Sequence, residues 1–81
     1  MRLAYTERFR KSYATAPPAI QRAFDRKAAL LLSNQRHPSL RVKKYDPARG
    51  LWQGRVTGSW RFYFTIEGDT YYLITIIPHP K

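Results

Sequence analysis

The segment LWQGRVTGSWRFYF, residues 51–64, restricts what this chain can fold into more than any other. Its β-branched and aromatic residues, interrupted by the turn-forming pair Gly58-Ser59, predict a β-hairpin. Two arginines, Arg55 and Arg61, lie inside it. Because successive side chains of a strand point to opposite faces, the length of the loop decides which face each arginine occupies.

Two loop lengths are possible for this hairpin. A loop made of Gly58-Ser59 alone pairs Thr57 with Trp60. It puts Arg55 on the apolar face, where burial of its charge is costly. A loop that also includes Thr57 pairs Arg55 with Arg61, separates apolar from polar residues, and is the register that we predict. This register also pairs Val56 with Trp60. Its apolar face consists of Trp52, Gly54, Val56, Trp60, Phe62, Phe64 and Ile66. Its polar face consists of Gln53, Arg55, Arg61, Tyr63 and Thr65.

In the predicted register the two arginines lie directly opposite each other, and like charges at that spacing are destabilising. No carboxylate is obviously available on this face, because the five acidic residues lie at a helix start, on a helix surface or in turns: Glu7, Asp25, Asp46, Glu67 and Asp69. Two interpretations remain open. Both arginines extend into solvent, or an anion between the two guanidinium groups relieves the repulsion.

The N-terminal half predicts a short strand at 1–5 followed by an αα-hairpin. Thr6 can cap the first helix, and Pro18 can open the second after the break at Pro17. Asn34 is predicted to end the second helix in a left-handed conformation. The second helix carries an apolar stripe of Ile20, Phe24, Ala28 and Leu31.

The remaining sequence predicts strands at 40–45, 51–57, 60–66 and 70–77, separated by turn signals. The loop of the last hairpin is either 68–69 or 67–69, and the choice reverses the faces of 71–77. The whole chain, 1–81, is predicted to be one α+β domain. It has an N-terminal strand, an αα-hairpin and three or four antiparallel strands in a twisted sheet with the helices on one face.

Charge is the strongest global signal, since fifteen Lys and Arg against five Asp and Glu give a net charge of +10. An excess of this size is typical of proteins that bind a polyanion, although a role in solubility alone stays open. The apolar run 71–77 is too short to cross a bilayer, and the N-terminal segment has no apolar run of the signal-peptide kind. With no cysteine, the composition fits a reducing compartment. We expect a cytoplasmic protein without a membrane partner.

Further candidate residues lie near the arginine-bearing face. Tyr63 adds a phenol there, and Arg41, Lys43 and Lys44 extend the positive field toward it. A charge run of this kind usually guards a sheet edge against strand addition. His79 follows the last strand and can reach the end of the same face, but from its position alone a disordered tail is an equal alternative.

The residue inventory argues against several kinds of catalysis. Five scattered acids do not supply the converging carboxylates of a two-metal nuclease. There is no nucleophile motif, Walker phosphate loop or zinc spacing. Cations can instead promote attack by an RNA 2′-hydroxyl on the adjacent phosphorus, because arginines stabilise the phosphorane and a histidine moves protons. The need for a 2′-hydroxyl favours RNA over DNA. No metal or other cofactor is expected.

The tracts HPSLRVKKY, LWQGRVTGSWRFYF and EGDTYYLITIIPH, in this order of elements, resemble the RelE/ParE toxin superfamily over essentially the whole chain. The resemblance implies a RelE-like fold. For the RelE-like branch it implies a small basic toxin that cleaves mRNA in the ribosomal A site and is inhibited by an antitoxin. The expected partners are therefore an acidic or amphipathic antitoxin segment and mRNA on the ribosome.

By this resemblance, Arg61 occupies the position of the family's phosphate-stabilising arginine, and Arg55 matches a basic position on the preceding strand. His79 falls where many members place a basic residue or a histidine, and it is the expected general base, with Tyr63 or a ribosomal group as substitutes. Some relatives carry a lysine at Gln53, and many continue past the last strand into a catalytic tail. The resulting expectation is a catalytic set of Arg61, Arg55, His79 and Tyr63 and an RNA-binding or ribosome-binding set of Arg41, Lys43, Lys44, Gln53 and Lys81.

Two alternatives to a ribonuclease remain. The ParE branch uses a similar fold to inhibit DNA gyrase without catalysis, so a gyrase inhibitor is the first. A non-catalytic basic domain that binds nucleic acid is the second.

Overall fold

The computed structural model describes residues 1–79, and the N-terminal half consists of one strand and two helices. These are β1 (Arg2–Tyr5), α1 (Glu7–Thr15) and α2 (Pro18–Ser33). Thr6 caps α1, since its hydroxyl accepts a hydrogen bond from the Phe9 N–H at 3.1 Å. Pro18 is the first residue of α2, where its missing N–H costs nothing. Both predicted helix starts are confirmed. Among the described residues, no helix is both long and apolar enough to span a bilayer.

The end of α2 differs from the prediction. Asn34 has an extended backbone with a φ of −161°, so the predicted left-handed stop is wrong. Its side-chain oxygen instead accepts a hydrogen bond from the Arg36 N–H at 3.0 Å. This Asx turn ends the helix without a positive φ. A positive φ of 46° occurs at Arg41, after a 3₁₀ turn at Pro38–Leu40.

The C-terminal half supplies the rest of a five-stranded sheet. Its strands are β2 (Lys43–Asp46), β3 (Leu51–Thr57), β4 (Trp60–Glu67) and β5 (Thr70–Pro78). The spatial order is β1-β5-β4-β3-β2, with β1 parallel to β5 and the other neighbours antiparallel. β2 starts later than the predicted 40–45 because the 3₁₀ turn intervenes. Glu67 pairs with Thr70, so the last hairpin has the two-residue loop.

The β3–β4 hairpin combines features of both loop lengths. Thr57 pairs with Trp60, as in the shorter loop, and a register shift then lets Arg55 pair with Arg61. The predicted pairing of Val56 with Trp60 is wrong, because Val56 is the extra residue of a β-bulge. The predicted pairing of the two arginines is confirmed, and so is the separation of apolar and polar faces.

The helices cover the apolar face of the sheet. The Phe24 ring of α2 packs edge-on against Phe62 of β4, with ring centroids 5.4 Å apart. Gly54 of β3 lies beneath the same ring, and a Cβ at this position would come within 2.3 Å of the Phe62 Cζ. The side chains with the least exposure form the core between helices and sheet: Phe9, Phe24, Leu31, Leu40, Val56, Phe62, Phe64, Leu73 and Ile76. This packing leaves the polar face of the sheet on the outer side.

Candidate functional site

Three arginines, Arg41, Arg55 and Arg61, are termed the arginine cluster because the charges of Arg41 and Arg61 both act on Arg55. Arg55 and Arg61 are cross-strand partners. Arg41 lies two residues before the start of β2. Burial lowers the pKa of Arg55, and the positive charges of Arg41 and Arg61 lower it further. The cluster therefore concentrates positive charge, with Arg55 at its centre.

Arg55 carries an unsatisfied donor. Its Nε is the only buried side-chain nitrogen or oxygen without a hydrogen-bond partner within residues 1–79. Buried donors in native proteins are almost always paired, and leaving a charged one unpaired is costly. This N–H can therefore donate to a bound group, and the positive surroundings favour an anionic acceptor.

Arg61 is held by the turn of its own hairpin. Its Nη1 donates to the carbonyl oxygens of Thr57 at 2.7 Å, Trp60 at 3.0 Å and Gly58 at 3.3 Å. The residue is 9% exposed, so the alternative in which Arg61 extends into open solvent does not hold. The turn carbonyls surround the guanidinium, whereas the helices lie on the other side of the sheet. Arg61 is consequently fixed beside Arg55.

No acidic side chain neutralises the cluster within the part of the chain that the structure describes. The ion pairs found there join Arg2 to Asp69, Lys11 to Glu7 and Arg49 to Asp46. Asp25 accepts hydrogen bonds from the Tyr13 hydroxyl. The repulsion that the sequence predicts on this face is thus real and uncompensated by carboxylates in residues 1–79.

A second polar group lies beside the cluster. The Gln53 Nε2 donates to the Tyr63 hydroxyl oxygen at 2.9 Å, and both side chains are buried. Because the phenol oxygen accepts this bond, its own O–H can donate to another group. The ring of Tyr45, a residue that the sequence analysis did not single out, packs edge-on against Tyr63 with centroids 5.0 Å apart.

The two neighbouring lysines of β2 lie on different sides of the sheet. Lys43 pairs with Gln53 and shares its side with the cluster. The Lys44 ammonium lies 5.6 Å from the ring centre of Trp52, on the helix side, so Lys44 does not join the cluster. Lys81 lies outside the described residues.

His79 lies beside the hairpin turn that holds Arg61. Its backbone N–H donates to the Ser59 carbonyl at 2.7 Å, and the residue is exposed. The backbone at the end of β5 therefore lies beside the turn at the arginine-bearing end of the hairpin. Imidazole is the side chain that most often transfers protons in catalysis. The polar face thus carries the paired arginines Arg55 and Arg61 together with the Tyr63 phenol, and the His79 backbone lies at its hairpin end.

The unfavourable surroundings of Arg55 lead to a stability prediction. We expect Arg55→Met to raise the midpoint of thermal unfolding, because it removes an unpaired buried donor and relieves the repulsion from Arg41 and Arg61. Arg22→Met is the matched control, since Arg22 is exposed on α2 and the two residues have similar helix propensity. A midpoint for Arg55→Met at or below that of the control would contradict the interpretation.

Comparison with known proteins gives matches in structure alone. No protein-family model and no curated protein matches the sequence. A YoeB/ParE toxin from Agrobacterium tumefaciens superposes with a TM-score of 0.81 at 15% identity, covering 99% of this chain and 100% of that chain. A chain of the RelE-RelB complex from Pyrococcus horikoshii has a TM-score of 0.80 at 16% identity, with 99% and 96% covered. A chain of the RelBE2 toxin-antitoxin complex from Mycobacterium tuberculosis has a TM-score of 0.74 at 21% identity, with 98% and 96% covered.

These matches extend over whole chains on both sides, and they include the parallel N-terminal strand, the two helices and the antiparallel hairpins. The predicted α+β architecture is therefore confirmed. This chain has the fold of the RelE/ParE toxin superfamily.

Proposed function

We propose that this protein is a ribosome-dependent mRNA endoribonuclease, acting as the toxin of a type II toxin–antitoxin system. The observation that carries the proposal is the arginine cluster, which has no carboxylate partner in residues 1–79 and contains an unpaired buried N–H. An RNA phosphate would accept a hydrogen bond from this N–H and supply the negative charge. The shared fold with a YoeB/ParE toxin and with chains of RelE-RelB complexes supports the assignment.

The proposed reaction needs no metal ion. The 2′-oxygen of one nucleotide attacks the adjacent phosphorus, the bond to the 5′-oxygen breaks, and the products are a 2′,3′-cyclic phosphate and a free 5′-hydroxyl. The phosphorane between these states carries extra negative charge, which Arg55 and Arg61 stabilise. Because the turn carbonyls already hold Arg61 in place, little reorganisation is needed when that charge develops.

Two proton transfers accompany the reaction. A base takes the proton of the attacking 2′-hydroxyl, and an acid gives a proton to the departing 5′-oxygen. His79 is the proposed base, since it is exposed beside the hairpin turn. Tyr63 is the proposed acid. Its hydroxyl oxygen accepts a hydrogen bond from Gln53, so its own O–H proton is free to be donated to the departing 5′-oxygen.

The proposed partners follow from charge. The RNA path uses Arg41, Lys43 and Gln53 on the side of the cluster, while Lys44 and Lys81 are assigned to contacts with the ribosome. An antitoxin that inhibits the protein supplies acidic or amphipathic segments, because a net charge of +10 favours association with an anionic surface. Chains in RelE-RelB complexes with the same fold support a protein partner of this kind.

Mapping mRNA 5′ ends after induced expression tests the function. We expect new ends inside translated codons, and they should become ligatable only after phosphorylation because cleavage leaves a 5′-hydroxyl. A reporter transcript with its start codon removed is the control, and it should remain intact. Intact messages together with a DNA-damage response would contradict the proposal and indicate inhibition of DNA gyrase instead.

A further inference from the structure

The edge strand β2 places one aromatic side chain, Tyr45, on the polar side of the sheet. Lys44 pairs with Trp52 and Asp46 pairs with Leu51, so Tyr45 is the residue without a cross-strand partner. Lys44 covers Trp52 on the helix side, whereas Tyr45 contacts Tyr63 on the polar side.

The Tyr45 ring is both held and exposed. It meets Tyr63 edge-on at an interplanar angle of 75°, and the hydrogen bond from Gln53 to the Tyr63 hydroxyl fixes that support. Nevertheless Tyr45 remains 56% exposed, more than any other aromatic side chain of residues 1–79. A ring in this arrangement is oriented by the protein and still presents surface to a ligand.

The charges around Tyr45 are those that suit a nucleic-acid ligand. Lys43 lies on the same side and pairs with Gln53, and Arg55 follows Gln53 by two residues on the same side of β3. The adjacent carboxylate of Asp46 is engaged by Arg49 at 3.5 Å. Proteins that bind single-stranded RNA combine cations for the phosphates with aromatic rings on which bases stack.

We infer that Tyr45 is a stacking platform for a nucleobase next to the phosphate held by the arginine cluster. The inference rests on the proposed function and adds a base contact to it. One face of the Tyr45 ring takes the base, Lys43 and Arg55 contact the flanking phosphates, and Tyr63 keeps the ring upright. Selection of the cleaved position then depends on a base as well as on the backbone.

The test measures the affinity of the protein for uncleavable RNA in which every 2′-hydroxyl is methylated. The RNA is offered both free in solution and as the A-site codon of programmed ribosomes. Tyr45→Ala should weaken binding by about 5- to 100-fold, since stacking on an aromatic ring contributes this much per base. Tyr45→Phe should bind like the original protein, because stacking needs the ring and not the hydroxyl. Tyr45→Leu keeps apolar size without a ring and should behave like Tyr45→Ala. Tyr5→Ala is the control, as Tyr5 is 42% exposed but packs against Phe9 of α1.

An abasic series identifies the base. Removing the stacked base should weaken binding to the original protein by the same factor as Tyr45→Ala, and it should have no further effect in that variant. Equal losses from every abasic position, or unchanged binding by folded Tyr45→Ala and Tyr45→Leu, would overturn the platform while leaving the proposed function intact. Loss of antitoxin binding alone would overturn it in favour of a protein contact. Failure of the original protein to bind or cleave RNA on ribosomes would overturn both proposals.

Discussion

Replacing Arg61 with alanine is expected to lower the rate of mRNA cleavage by about 100- to 1000-fold, the usual loss when one preorganised donor to a developing negative charge is removed. Growth inhibition on expression should disappear with it. The reason is geometric, because Arg61 is the member of the cluster that the hairpin turn holds in place. The measurement is single-turnover cleavage of mRNA on programmed ribosomes.

The same substitution also removes hydrogen bonds to the turn, so its controls must separate catalysis from folding. Arg61→Lys keeps a positive charge but lacks the planar fork, and it should retain the fold with an intermediate loss of rate. Binding of the antitoxin and the circular dichroism spectrum should be unchanged in Arg61→Ala. Undiminished toxicity of a folded Arg61→Ala protein would remove this residue from the proposed mechanism.

Gly54→Ala is expected to lower the free energy of unfolding by about 3 kcal/mol, near the upper end of the usual cost of overpacking a core. The added Cβ would lie 2.3 Å from Phe62 Cζ, and Phe62 is fully buried under the helices. In a small domain this is a large part of the total stability. Urea unfolding at equilibrium measures the change.

Two further variants identify the cause of this loss. Gly58→Ala is the matched control, since no heavy atom lies within 4 Å of a Cβ at Gly58, and its stability should change little. Combining Gly54→Ala with Phe62→Leu should recover part of the loss, because the shorter side chain makes room. Equal stability of Gly54→Ala and Gly58→Ala would show that the Phe62 ring moves aside without cost.

Alternation of side chains predicts most of this fold. Capping by Thr6, the start of α2 at Pro18 and the three C-terminal strands follow from local chemistry and period-two patterns. The pairing of Arg55 with Arg61 follows from the requirement that charges avoid the helix-covered face. These features depend on neighbours in the sequence or on a single buried face, and both can be read from residues alone.

The bulges are the features that alternation could not predict. The extra residue at Val56 lets the hairpin keep the two-residue loop, in which Thr57 pairs with Trp60. It also lets Arg55 pair with Arg61, which plain alternation allows only with the three-residue loop. The bulge after Lys44 leaves Tyr45 without a cross-strand partner and pairs Asp46 with Leu51. The burial of Arg61 depends on where the turn carbonyls lie in space, which no pattern along the chain specifies.

The parallel pairing of β1 with β5 has a consequence for how the protein is made. Arg2 of β1 is matched with Thr70 of β5, so β1 has no partner in the sheet until β5 has been synthesised. Contacts between such distant positions form late, because closing a long loop is entropically unfavourable. The hairpins can form early on a nascent chain, but the complete sheet exists only once translation has passed β5.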